Sequence, residues 1–226
     1  MCGFMNIQFE FDSDVAANTA LYLLKKLGAQ DILKLMFLIF YADRRHLIRY
    51  GMPITGDSYS ATKHGPIPMS TYDLLCGGEK NFAREYFSRK GNKIRARRTA
   101  KIDEDQFSDS IVEVLDEICE EYGTLTAKKL MSQIRAEKEY QQLWGQDSTI
   151  TAFPISYESI LHYHADDKMK SIIAEQQEIE DLFSTRRVNL VDVWGKGADL
   201  WDDDADFDAF LEDIHTVCRN GTKKSG

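Results

Sequence analysis

An apolar helix followed directly by a loop rich in glycine and proline dominates the sequence between residues 32 and 75. Residues 31–50 predict a helix, which is apolar nearly all round from Leu35 to Ala42. Such a pattern is typical of a helix buried at the centre of a domain. The residues that restrict or extend backbone freedom in the following loop are Pro53, Gly56, Gly65, Pro66 and Pro68. We therefore expect residues 57–68 to form a rigid, fold-defining element packed on this helix.

The rest of the chain predicts a mainly α fold, a compact multi-helix domain with a small β-hairpin. A first helix follows Asp12 or Ser13 and stops at Gly28. Later helices are expected at 111–122, 126–137, after Ser156 and at 166–183, with a short one from Ser70 to Leu75. Residues 54–64 predict a loop or short strand, and Pro154 is expected to break the chain.

Residues 84–101 predict a basic hairpin that turns at residues 90–93. Its cationic side chains include Arg89, Arg95, Arg97 and Arg98, against the single acidic residue Glu85. Three interpretations remain open. The hairpin is a nucleic-acid wing, a docking surface for an acidic protein segment such as this chain's own tail, or a solvated charged surface.

The C-terminal part differs in composition and divides the chain into residues 1–185 and residues 186–226. Asp199 to Asp213 contain eight acidic and no basic residues, so most of the formal net charge of −9 belongs to this segment. An apolar stripe at helical spacing predicts an acidic amphipathic helix after a linker at about 186–200. This tail is either a solubilising appendage or a partner-binding element. Its candidate contact residues are Trp201, Phe207, Phe210, Leu211 and Ile214.

Composition excludes several classes of protein. The longest wholly apolar run has eight residues, whereas a membrane-spanning helix needs about 20. The N-terminus lacks the pattern of an export signal. The four cysteines have no paired spacing, which favours reduced thiols in the cytoplasm over disulfides or a metal site. No cofactor is expected.

Polar residues of the loop offer weak catalytic candidates. The side chains that could serve as general acid or general base are Asp57, Lys63, His64 and Tyr72. No nucleophile motif, phosphate-binding glycine loop or metal-ligand spacing accompanies them. A structural interpretation has these groups hydrogen-bonding to one another and fixing the loop on the helix. Within that helix, Asp43 and His46 share a face and form a candidate structural pair.

A dense set of motif residues, structural or partner-binding, follows the central helix and its loop: Lys34, Tyr41, Asp43, His46, Gly56, Asp57, Lys63, His64, Gly65, Pro66 and Tyr72. The segment that carries them resembles the Panacea domain, also called the SocA-like or GepA phage-associated family. The resemblance is dense over residues 13–76, looser through Trp144, and extends to about residue 185. One departure is that the segment from Arg135 to Trp144 lacks the histidine that family members often carry there.

The resemblance implies an antitoxin that neutralises a cognate toxin protein by direct contact, without catalysis. Toxins paired with this family are chemically diverse, so the toxin's identity stays open, and a protease or chaperone is a further candidate partner. No membrane partner is expected. The alternative is a nucleic-acid-binding regulator that uses the basic hairpin, and the third candidate is a hydrolase or transferase built on Asp57, Lys63 and His64.

Overall fold

The computed structural model describes residues 7–76, 81–144, 152–173 and 175. The helices, in chain order, are α1 (Ser13–Leu27), α2 (Ile32–Tyr50), α3 (Met69–Cys76), α4 (Asn81–Tyr86), α5 (Asp109–Tyr122), α6 (Ala127–Ala136), α7 (Lys138–Trp144) and α8 (Tyr157–His164). The strands are β1 (Gln30–Asp31), β2 (Tyr59–Thr62), β3 (Gly65–Pro68), β4 (Phe87–Lys90), β5 (Lys93–Ala96) and β6 (Ala152–Ile155). A short 3-10 helix covers Glu104–Gln106. The predicted mainly α class with small β elements is confirmed.

Helix α2 lies at the centre of the fold, as its apolar composition predicts. It contacts α1, α5, α6, α8 and strand β3. The carboxylate of Asp31 caps its first turn by accepting from the Leu33 amide at 2.9 Å, and Gly51 ends it with a left-handed φ of 84°. The residues from Leu35 to Ala42 are all buried, so the whole apolar run lies within one continuous hydrophobic core.

Two small antiparallel sheets flank the helices. Strand order in one is β1-β5-β4, and in the other β3-β2-β6. Tyr59 of the central strand β2 stands opposite Pro68 on one side and Ile155 on the other. All prolines of this sheet therefore lie on edge strands, where the missing amide proton costs no ladder hydrogen bond.

The structure corrects three details of the predicted element boundaries. Residues 84–86 belong to the end of α4, so the hairpin begins only at Phe87, which pairs with Ala96. The Arg97 side chain fixes this helix–strand junction by donating from Nε to the carbonyls of Arg84 and Phe87. Pro154 does not break the chain but lies in edge strand β6, and α7 was not expected.

The acidic tail, including Trp201, Phe207, Phe210, Leu211 and Ile214, lies outside the described residues, as does the linker at about 186–200. Of the helix expected at 166–183, residues 167–173 are helical. Within the described part of the chain, no helix is long and apolar enough to cross a membrane.

Candidate functional site

Asp43 of α2 is the centre of a buried polar clamp that holds the loop after the helix. Its carboxylate accepts hydrogen bonds from the amides of Ile54 and Thr55 at 3.1 and 3.0 Å, from the Thr55 hydroxyl, and from the Tyr59 hydroxyl at 2.5 Å. Burial raises the pKa of Asp43 to about 6, against the opposing effect of the hydrogen bonds from Thr55 and Tyr59. The clamp ties the start of the loop and of β2 to the central helix.

His46, one turn further along α2, is not paired with Asp43 as the sequence spacing suggested. Its Nδ1 lies 2.6 Å from the carbonyl oxygen of Met52, and its Nε2 lies 3.1 Å from the Ser110 hydroxyl. Because a carbonyl only accepts, Nδ1 carries the proton, and the neutral ring accepts from Ser110 at Nε2. Burial lowers the pKa of His46, which favours this neutral form. The pairing failed because each side chain found partners outside its own helix.

Asp57 anchors the other end of the same loop. This fully buried carboxylate accepts from the Ser70 and Thr71 amides at 2.9 and 2.6 Å, so it caps the first turn of α3. The backbone carbonyl of Asp57 accepts from the Tyr157 hydroxyl at 2.6 Å. The residue is thus engaged at the junction of loop, α3 and α8.

Lys63 and His64 lie in the exposed turn between β2 and β3, away from the buried clamp. No polar contact within residues 7–76 joins either of them to Asp57 or to Tyr72, which is half-buried and packs on the core. The proposed mutual hydrogen bonding of these four groups is therefore wrong, because Asp57 binds backbone amides instead.

The segment where the family histidine is absent holds this turn in place. Arg135 at the end of α6 donates to the carbonyl of Lys63, and Tyr140 of α7 donates to the carbonyl of Thr62. Two helices distant in sequence therefore fix the tip of the β2–β3 hairpin.

Both motif glycines lie where a side chain would collide. Gly65 has a φ of +117°, and an added Cβ would lie 2.6 Å from the ring of Phe37 in α2. Gly56 has a φ of +65°, and its Cβ would lie 2.1 Å from the carbonyl oxygen of Glu10. Both glycines therefore meet the two conditions that require glycine, a positive φ and a close approach of another group. Pro66, which follows Gly65, is buried in β3. The predicted packing of this loop on the central helix is confirmed.

Lys34 connects the start of α2 to the end of α5. Its side chain is almost fully buried, and Nζ donates to the carbonyl oxygen of Gly123 at 2.6 Å. A cation at this position also compensates the partial negative charge at a helix C-terminus. Burial lowers the pKa of Lys34.

Tyr41 and three arginines of α2 line a cleft of about 300 Å³. The Tyr41 ring stacks on Tyr122 with centroids 4.4 Å apart, and burial raises its pKa. Each guanidinium pairs with a glutamate of α5 or at the end of α6. We call the three arginines Arg44, Arg45 and Arg49 the arginine cluster. Their ion pairs are Arg44–Glu137 at 2.5 Å, Arg45–Glu117 at 3.1 Å and Arg49–Glu117 at 2.9 Å.

A second basic region is exposed and differs from the arginine cluster in its pairing. Its cations are Arg84, Arg89, Lys90, Lys93, Arg95, Arg97, Arg98 and Lys101, which together we call the basic face. Within the described part of the chain, none of them forms an ion pair with a carboxylate. Beside them lies a groove of about 580 Å³ between the end of α1 and β5.

The described residues contain no group of three His, Cys, Asp or Glu side chains suited to hold a metal ion. Cys76 and Cys119 are free thiols, each half-buried. The residues that sequence analysis missed are Thr55, which binds Asp43, Tyr157, which binds the carbonyl of Asp57, and Ser110, which binds His46. No local sequence signal indicates these contacts.

The comparison with family models now places this arrangement. Residues 34–141 match the model described as antitoxin SocA-like, Panacea domain. Over these residues the chain is similar to a Panacea domain. The matched range begins at Lys34 and ends just after Tyr140, so it includes the Asp43 clamp, the β2–β3 hairpin, the basic face, helix α6 and the first part of α7. No curated protein and no solved structure matches the chain.

This match supports a role related to toxin–antitoxin systems. It also gives the buried clamp a context, because Asp43, Asp57 and Gly65, which belong to the residues that carried the resemblance, build the junction of loop, helix and hairpin.

Proposed function

We propose that this protein is a cytoplasmic antitoxin that neutralises a cognate protein toxin by forming a stable complex, without turnover of a substrate. The Panacea-domain match carries the proposal. The position of the motif carboxylates also supports it. Asp43 and Asp57 are both buried and hydrogen-bonded to backbone amides, so their accepting oxygens already serve the fold.

Accessible basic groups of the motif region support binding over acid/base chemistry. Lys63 and His64 are exposed in a turn that neighbouring helices fix in position, an arrangement that suits contact with a partner. A general base needs a substrate proton within hydrogen-bond reach and a group that orients it. Within the described residues, no carboxylate contacts the side chain of either residue.

Co-expression tests the proposal directly. The gene adjacent to that of this chain is expressed alone and together with the full chain, and growth is compared with recovery of a co-purified complex. We expect growth arrest by the neighbour alone, rescue by this chain, and a complex of defined stoichiometry. Rescue by substoichiometric protein without a detectable complex would show that the proposal is wrong.

The double substitution Lys63→Ala with His64→Ala separates binding from catalysis. A binding role predicts that rescue and complex stability fall together or are both retained. A catalytic role predicts loss of rescue while the complex stays intact. Because both side chains are exposed, the fold should tolerate the change, and a melting curve checks this.

A further inference from the structure

We infer that the basic face and the groove beside it form the docking surface for an acidic patch of the partner toxin. This inference rests on the proposed function and adds the surface and the chemistry of the partner. The occupant that fits is a protein segment with carboxylates on either side of a small apolar or aromatic side chain.

The contrast between the two basic regions is the first argument. Every member of the arginine cluster pairs with a glutamate at 3.1 Å or less, so those cations are matched within the fold. The eight cations of the basic face are all exposed, and none pairs with a carboxylate of the described residues. Gathering like charges without counter-charges costs free energy. A bound acidic partner offsets that cost.

The second argument is the fixed geometry of two guanidinium groups. Arg95 donates from Nε to the Ser88 hydroxyl at 2.9 Å, and Arg97 donates from Nε to the Arg84 carbonyl at 2.6 Å. In both residues the Nε is occupied, and no polar contact to their terminal nitrogens appears within the described residues. Those nitrogens can bind a carboxylate, and the fixed side chains lose little entropy on binding.

The groove supplies a place for an apolar anchor. The groove is lined by the exposed Gly28 and Ala29, the buried Leu24, and cations that include Arg95 and Arg98. A Cβ added at Gly28 would meet no atom within 4 Å, so the space beside Gly28 is open. Apolar anchors seated in pockets and surrounded by polar contacts dominate many protein interfaces.

A protein partner fits this surface better than a nucleic acid does. Single-stranded nucleic acids stack their bases on exposed aromatic rings, but Phe87 in the hairpin is buried and Tyr86 is half-buried. Two residues after Lys101, the acidic 3-10 helix Glu104–Gln106 and its cap Asp103 lie against α1, where they would repel an extended polyanion.

Charge reversal in the full chain tests the surface. The double variant Arg95→Glu with Arg98→Glu is compared with Lys128→Glu with Lys129→Glu on α6. The control has the same change in net charge at exposed positions that form no ion pair with a carboxylate of the described residues. We expect the first variant to lose roughly 100-fold in affinity for the purified product of the adjacent toxic gene, more at low salt, and the control to lose less than about threefold. Melting curves of both variants should stay close to that of the wild type.

Filling the groove tests the apolar anchor without a change in charge. Ala29→Trp should weaken the complex by about tenfold or more, whereas Ala136→Trp, an exposed control on α6, should not.

Wild-type affinity of the Arg95→Glu with Arg98→Glu variant, with rescue intact, would overturn the docking surface and leave the proposed function standing. Absence of any complex with the wild-type chain would overturn both. Tight, salt-dependent binding of a 20-base-pair DNA duplex that the reversal abolishes, with toxin binding unchanged, would assign the surface to nucleic acid instead.

Discussion

Replacement of Gly65 by alanine should destabilise the protein through two separable effects. The first is backbone strain, since a φ of +117° is unfavourable for any residue with a Cβ and costs about 1–2 kcal/mol. The second is overpacking, because the new methyl group would lie 2.6 Å from the Phe37 ring and such crowding costs about 1–3 kcal/mol. Together the free energy of unfolding should fall by about 2–5 kcal/mol.

A matched glycine separates the two effects. Gly91 in the β4–β5 turn also has a positive φ, +60°, but an added Cβ there meets no atom within 4 Å. Gly91→Ala should therefore cost only the strain, about 1–2 kcal/mol. The difference between the two variants, measured by urea unfolding monitored by circular dichroism, reports the contact with Phe37.

A double-mutant cycle completes the test. Phe37→Leu removes the ring that the methyl group meets, so Gly65→Ala should cost at least about 1 kcal/mol less in that background. Equal costs of Gly65→Ala and Gly91→Ala, together with additivity in the cycle, would refute the close approach. A Gly65→Val variant with wild-type melting temperature but no function would refute the structural role of this loop altogether.

Other consequences of the buried clamp and of the tail can be tested in the same way. Because the pKa of Asp43 is about 6 in the folded protein and 3.8 is the ordinary value, the folded state binds more protons between these values. Stability should therefore fall by about 3 kcal/mol as the pH rises through this window, a slope that urea unfolding should show in the wild type and not in Asp43→Asn. Asp57→Ala should lower the free energy of unfolding by about 2–5 kcal/mol because two buried amides lose their acceptor, whereas Asp73→Ala on the exposed side of α3 should change it by less than about 0.5 kcal/mol. A chain truncated after Arg187 should stay folded by thermal melting, and weaker toxin binding than that of the full chain would assign the acidic tail a role in partner contact.

Helix positions could be predicted from the sequence where local chemistry decides them. Asp12 and Asp31 cap α1 and α2, and Gly28 and Gly51 end them, as their residue types indicate. These signals act over a few residues and need no knowledge of the rest of the chain. The requirement for glycine at position 65 could also be predicted from the sequence. A glycine between a basic turn and a proline indicates a backbone conformation that other residues rarely adopt.

Partners distant in sequence could not be predicted. The i, i+3 rule suggested a pair between Asp43 and His46, but each side chain binds groups that only the folded chain brings near, such as Tyr59 and Ser110. Pro154 is a breaker by local rules, yet it fits edge strand β6, which pairs with a strand about ninety positions earlier. Contacts formed in the tertiary structure determine the partners of Asp43 and His46 and the strand that holds Pro154. The preferences of single residues carry no information on such contacts.

Stability and partner specificity depend on different residues of this protein, because the charged motif residues bind groups inside the fold. Lys34, Asp43 and Asp57 all direct their charged groups to backbone or buried partners, so changes there should weaken folding whatever the toxin. The basic face forms no ion pair with a described carboxylate, so its side chains, apart from Arg97 at the α4–β4 junction, can change with little effect on the fold. Choice of partner should therefore follow the exposed residues around β4 and β5. Exchange of Arg95 and Arg98 for glutamate should therefore change toxin binding at constant melting temperature, while Asp43→Ala should lower melting temperature and toxin binding together.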